Sequence, residues 1–195
     1  KELMSRLVRL EARDIISGLF VIIDTDFLRG REDAQVCRQV LNGGARVVQL
    51  RDKARNKGVL LPLCQEMAAQ CAAAGGLFLV NDHLDLVLAS GAQGLHVGQT
   101  DIPVPVARHL LPVDRLLGVS AKARAQALAA QEGGGDYVAV GAMFPTNSKT
   151  GAVVKGLGAL QEVRDAVPLP VVAIGGINKD NVGQVVRAGA DAIAV

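Results

Sequence analysis

The chain has 195 residues, half of them apolar, with 22 glycines, four Phe, one Tyr and no Trp. That is the length of one domain, with a sizeable core and too little charge (21%) for a disordered polyelectrolyte. The net charge of +2 is dispersed without Lys/Arg runs, which excludes a nucleic-acid footprint, and no apolar stretch reaches the roughly 20 residues that span a bilayer.

Residues 1–16 read as a helical extension or linker ahead of a single domain over 17–195. The apolar run Ile15–Ile23 is broken by Ser17 and Gly18 and preceded by Glu11 and Asp14, with no small-residue cleavage pattern after it. It is therefore not a signal peptide. Strands are predicted at Leu19–Thr25, Arg46–Leu50, Leu77–Asn81, Gly94–Val97, Leu116–Ser120, Tyr137–Val140, Val171–Ile174 and Ala192–Val195. These runs are near-continuously apolar rather than alternating, as strands covered on both faces must be. Between them the 3.6-residue period predicts helices at Asp33–Leu41, Val59–Ala74, Val104–Leu110, Ala123–Glu132, Leu157–Ala166 and Asn181–Ala188. Pro103 opens one of these and Asp180 is the expected N-cap of another.

A glycine turn recurs before strands 2, 4, 6 and 8: Asn42-Gly-Gly-Ala45, Ser90-Gly-Ala92, Gly133-Gly-Gly-Asp136 and Ala188-Gly-Ala-Asp191. Each offers a helix C-cap and a tight entry into the next strand. Eight βα units with this rhythm predict an α/β fold, a (β/α)₈ TIM barrel that ends at strand 8 without a following helix. An open doubly wound sheet shares the same periodicity. Cys37, Cys64 and Cys71 are odd in number, widely spaced and without a C-x-x-C pair, so they read as inert core thiols in the cytoplasm or another reducing compartment.

In such a barrel the chemistry sits at the C-terminal strand ends. Those ends carry Asp24, the run Gln49 to Lys53, Asn81, Asp82, Asp101, Ser120, the loop Phe144 to Gly151, and Gly175-Gly176. Asp82 and Asp101 suit a hard divalent ion such as Mg²⁺, which takes one or two carboxylates plus substrate phosphates. Arg51, Lys53 and Lys149 are cations for phosphate oxygens, Asn81, Ser120, Thr146 and Ser148 are neutral donors, and Gly175-Gly176 leaves backbone N–H groups bare. Two phosphate-handling regions follow, one metal-assisted near strands 2–5 and one metal-free near strands 6–8.

Gln49-Leu-Arg-Asp-Lys53, Asn81-Asp82, Gly94-x-His-x-Gly-Gln-x-Asp101, Gly118-Val-Ser120, Phe144-Pro-Thr-x-Ser-Lys149 and Ile174-Gly-Gly-Ile177 stand in the order and spacing of thiamine phosphate synthases, and the chain resembles that family from Gly18 to Val195. The resemblance implies a transferase that joins an aminopyrimidine methyl diphosphate to hydroxyethylthiazole phosphate and releases pyrophosphate. It implies Mg²⁺ on Asp82 and Asp101. It implies pyrimidine diphosphate contacts from Gln49, Leu50, Arg51, Asp52, Lys53, Asn81, Ser120 and Lys149. Thiazole phosphate contacts fall to Thr146, Asn147, Ser148 and Gly176. Arg51, Lys53, Ser120 and Lys149 take the catalytic roles. The implied partners are these two small molecules, with neither nucleic acid nor membrane, and the number of copies in an assembly stays open.

Three features depart from the family pattern: Ala121-Lys122 after strand 5, Ser148 where Thr is common, and the end of the chain one step short of an Ile/Val-Ser pair. A thiazole tautomerase shares the barrel but typically lacks the second metal Asp, and a non-catalytic barrel of a fusion protein has no use for a converging Asp pair. Plainer roles compete at single residues. Asp101 could cap the helix after Pro103, His96 could be a core histidine, Lys149 could be solvated, and Gly175-Gly176 could serve the turn alone.

Overall fold

The computed structural model describes residues 2–146 and 153–195. Its strands are β1 (Gly18–Asp24), β2 (Val47–Arg51), β3 (Leu77–Asn81), β4 (Gly94–Val97), β5 (Leu116–Ser120), β6 (Tyr137–Gly141), β7 (Val171–Ile174) and β8 (Ala192–Ala194). The helices are α1 (Glu2–Asp14), α2 (Asp33–Asn42), α3 (Lys57–Ala73), α4 (Leu84–Ser90), α5 (Val104–Leu110), α6 (Arg124–Glu132), α7 (Gly156–Ala166) and α8 (Val182–Arg187). All neighbouring strands pair in parallel, and β8 returns to β1 through Gly18 opposite Ala192 and Phe20 opposite Ala194. The sheet is therefore a closed TIM barrel, not an open one. Closure abolishes edge strands and puts all C-terminal strand ends on one rim.

Two apolar clusters fill it. Ile16, Phe20, Val47, Leu77, Leu79, Leu116, Tyr137 and Val172 pack inside the barrel, while Val48, Leu50, Phe78, Val80, Leu95 and their neighbours meet the surrounding helices. Strands loaded on both faces explain the continuous apolar runs. The recurring turns carry left-handed glycines before the even strands, at Gly44, Gly91, Gly134 and Gly189.

Two local expectations change. Helix α4 was not among the predicted helices, because two turns (LDLVLAS) are too short to display a 3.6-residue period. Asp180 does not cap α8. Asn181 occupies the cap position, and Asn178 Oδ1 instead accepts from the N–H groups of Asp180 (2.9 Å) and Asn181 (3.2 Å). The Asx turn at Asn178 thus organises the chain just ahead of the helix. No helix among the described residues is long and apolar enough to cross a membrane. The three cysteines are buried free thiols, Cys37 Sγ and Cys71 Sγ share a hydrogen bond at 3.9 Å, and burial pushes the Cys64 thiol up to about 11.

Candidate active site

The C-terminal rim gathers charge in a narrow arc. Arg51, the last residue of β2, pairs with Asp24, the last of β1, and both side chains are mostly buried. Lys53 Nζ lies 3.5 Å from Asp82 Oδ2. Asp82 follows β3 in a left-handed conformation (φ 63°), fixed where its N–H donates to His96 O at 2.9 Å. Asx residues are among the few with a side chain that tolerate this region. Burial pushes the Asp82 carboxyl above its ordinary value, and the adjacent Asp101 carboxylate raises it further, while Lys53 opposes. Asp101 does not cap α5. Its Oδ2 accepts from Gly98 N–H at 2.6 Å and folds the β4–α5 loop back toward Asp82, and Pro103 takes the cap position. Two oxygen-rich carboxylates that repel each other form a donor set fitted to a hard divalent cation.

Leu50 and Asp52, on either side of Arg51, are both buried. Leu50 is buried in the outer core. Asp52 is buried too, its Oδ1 accepting from the N–H groups of Ala54 (2.9 Å) and Arg55 (2.8 Å), its Oδ2 from Arg55 Nε (2.5 Å). Arg55 also grips Asp33 at the start of α2 with both terminal nitrogens, at 3.1 and 2.7 Å. Bidentate guanidinium–carboxylate geometry makes this a stiff cross-tie under the loop that presents Lys53. Burial alone would raise the Asp52 carboxyl, but the donors from Arg55 and Ala54 outweigh it and hold it at about 2, below its ordinary 3.8. A depressed carboxyl stabilises the fold fully above pH 4, and that contribution drains as pH falls from about 4 to about 2. Asp52→Asn is expected to cost about 2 kcal/mol at neutral pH and to flatten the acid limb, measured by urea unfolding across pH. An unchanged limb would show the tie to be idle.

A polar string runs from the rim into the barrel. His96 Nε2 meets Ser120 Oγ at 2.9 Å, His96 Nδ1 meets Tyr137 Oη at 2.9 Å, and Tyr137 hydrogen-bonds the side chain of Gln49. Gln49, His96 and Tyr137 are buried. Burial drives the Tyr137 phenol strongly upward, so it stays neutral. Gln99 Nε2 donates to Ser120 O at 2.6 Å and anchors the end of β5. Asn81 is opposite His96 in the β3–β4 register.

Across the rim, Gly176 (φ +68°) lies against the Phe144-Pro145 turn, where a Cβ would come within 2.5 Å of Pro145 O. Asn181 Nδ2 donates to Gly176 O at 2.9 Å and Phe144 N–H to Gly175 O at 2.9 Å. The loops after β6 and β7 therefore form one wall, with Thr146 at its described end. Asn147, Ser148 and Lys149 lie outside the described residues. The sequence reading missed Asp33, Arg55, Tyr137 and Asn181. Of these only Tyr137, the sole tyrosine, could have been singled out beforehand.

Residues 19–195 match the family model for thiamine monophosphate synthase, TMP-TENI. The chain belongs to this family. It is 42% identical over 179 residues to thiamine-phosphate synthase of Methanospirillum hungatei, covering 91% of this chain and 87% of that one. It is 46% identical over 178 residues to thiamine-phosphate synthase of Methanocella arvoryzae, covering 91% and 84%. The solved thiamine phosphate pyrophosphorylase of Pyrococcus furiosus superposes with a TM-score of 0.85 at 35% identity, over 94% of this chain and 86% of that one. Members of the thiamine phosphate synthase family are transferases.

Proposed function

We propose that this chain makes thiamine phosphate by transferring an aminopyrimidine methyl group from its diphosphate to the nitrogen of a thiazole phosphate. The observation that carries the proposal is the convergence of Asp82, Asp101 and Lys53 beside Arg51 on one rim of a synthase-family barrel. Asp82 and Asp101 would hold Mg²⁺, and a bound Mg²⁺ supplies charge neutralisation for the departing pyrophosphate.

The chain's own groups do the rest. Arg51, Lys53 and Lys149 bind the diphosphate oxygens. Arg51 is pre-aimed by Asp24, so little side-chain freedom is lost on binding. Asn81 and Ser120 donate to the remaining oxygens, and Gln49, steadied by Tyr137, lies beneath the pyrimidine. Asp52 acts from below the site by setting the loop. The C–O bond to the diphosphate breaks with its electron pair leaving on pyrophosphate, and the pyrimidine's amino group spreads the positive charge left on the methylene carbon. The thiazole nitrogen lone pair then forms the new C–N bond. That nitrogen carries no proton, so no general base is required. Thr146, Asn147, Ser148 and the backbone N–H groups around Gly176 hold the thiazole phosphate. The free thiols fit a cytoplasmic or other reducing setting.

The test is product formation from the two phosphorylated precursors with and without Mg²⁺. Metal-dependent thiamine phosphate is the expected result. No product from either mixture would overturn the reading.

A further inference from the structure

The floor of the barrel, opposite the rim, holds more positive charge than its carboxylates balance. Asp136, just ahead of β6, is buried. Its Oδ2 accepts from Leu117 N–H at 2.8 Å and from Arg108 Nη1 at 3.2 Å, and its Oδ1 lies 3.4 Å from Arg9 Nε. One carboxylate thus faces two mostly buried guanidiniums, one from α1 and one from α5. The nearby carboxylates Glu2 and Asp114 are already taken, by Arg6 and by Arg115, each at 2.7 Å. Burial lowers the Arg108 guanidinium from its ordinary value, Asp136 opposes that, and Arg9 adds to it. Arg9 Nε is buried, and among the described residues it has no hydrogen-bond partner. A desolvated cation that shares its counter-charge costs stability, and a bound anion removes that cost.

Arg6, Arg9, Arg108 and His109 line a single pocket of about 450 Å³, with Leu111 and Val113 on its wall. Arg108 is fixed in place there. Its Nη1 also donates to Arg115 O at 3.0 Å and its Nη2 to Pro112 O at 2.9 Å. Its stem lies along the left-handed turn at Gly134 (φ +90°), where a Cβ would stand 2.8 Å from Arg108 Cγ. These three bonds leave two of its five N–H donors over.

We propose that this pocket binds a phosphate monoester, with the phosphate on Arg9 and Arg108, flanked by Arg6 and His109, and the ester's apolar body on Leu111 and Val113. Planar guanidiniums match phosphate oxygens two at a time, and a dianion supplies the counter-charge that Asp136 alone cannot give to both. The pocket has the size of a small-molecule site, and its apolar wall has no use for an inorganic ion. Because the cations come from α1 and α5, an occupied site also ties α1 to the barrel, at the end opposite Asp82.

Amide NMR on the isotope-labelled full chain in EDTA tests this with two probes, phenyl phosphate and inorganic phosphate. Phenyl phosphate is expected to shift the Leu111, Val113 and Gly134 amides with half-saturation below about 1 mM, and inorganic phosphate to need more. The Gly176 amide reports phosphate at the rim separately. Arg6→Gln alters an exposed side chain and is expected to weaken the floor response about fivefold. Arg9→Gln is expected to abolish it, with the Gly176 response and product formation unchanged in both variants. Floor amides that stay unmoved at a tenfold higher concentration of phenyl phosphate, or that move alike in the parent and both variants, overturn the proposal. Inorganic phosphate binding as tightly as phenyl phosphate would overturn the ester.

Discussion

Asp82→Asn is expected to lower thiamine phosphate formation about 10³-fold at saturating Mg²⁺, the scale on which a single fixed charge acts in a transition state that develops anionic oxygen. The amide removes one of the two charges of the proposed metal site and keeps the size of the side chain. It also tolerates the left-handed backbone at this position (φ 63°), which alanine would strain. Burial and Asp101 both disfavour the ionised Asp82 carboxyl, so the neutral variant is expected to be at least as stable as the parent. Loss of turnover with no loss of thermal midpoint is the signature of a residue kept for chemistry at a cost to stability. Near-normal turnover would remove Asp82 from the metal site.

Gly118→Ala is expected to be the most destabilising single-atom-group addition in the barrel. A Cβ there would stand 2.0 Å from Tyr137 Cζ and 2.2 Å from its Oη. The ring is fully buried, packed 6.0 Å from the Phe20 ring, and has nowhere to retreat. Overpacking of this severity costs about 3 kcal/mol, or roughly 10 °C in a chain of this size. Activity should fall as well, because a displaced Tyr137 releases Gln49 and His96 together. Adding Tyr137→Leu is expected to recover part of the stability but none of the activity, a non-additive pair in unfolding and kinetic measurements. A Gly118→Ala variant as stable as the parent would mean the ring can turn aside.

What the amino-acid order disclosed, and what it hid, follows from range. Buried parallel strands announce themselves locally, since Leu77–Val80 is apolar at every position and Val47–Leu50 at every position but Gln49. The rim's cations and carboxylates were legible because a charge that ends an apolar strand has little other reason to be there. The two turns of α4 were too short to show a period. Pairings across the fold left no local trace. The Arg55–Asp33 tie spans 22 positions and the His96–Tyr137 bond 41, and neither could be inferred from neighbours in sequence. Asp52 shows what neighbours alone leave open: beside Arg51 and Lys53 it reads as a rim charge, and the structure adds its bonds to Ala54 and Arg55.

The string from Ser120 to Gln49 has a direction as well as a path. A neutral imidazole gives a proton from one nitrogen and receives one at the other. If His96 gives to Tyr137, then Tyr137 passes its own proton on toward Gln49, and Ser120 spends its hydrogen on His96 and offers the ligand only lone pairs. If the order is reversed, Ser120 accepts from His96 and keeps its own hydrogen to donate. Whether the mouth of the barrel gives or takes a hydrogen bond is thus settled at its floor, by which way round a single amide, Gln49, is held.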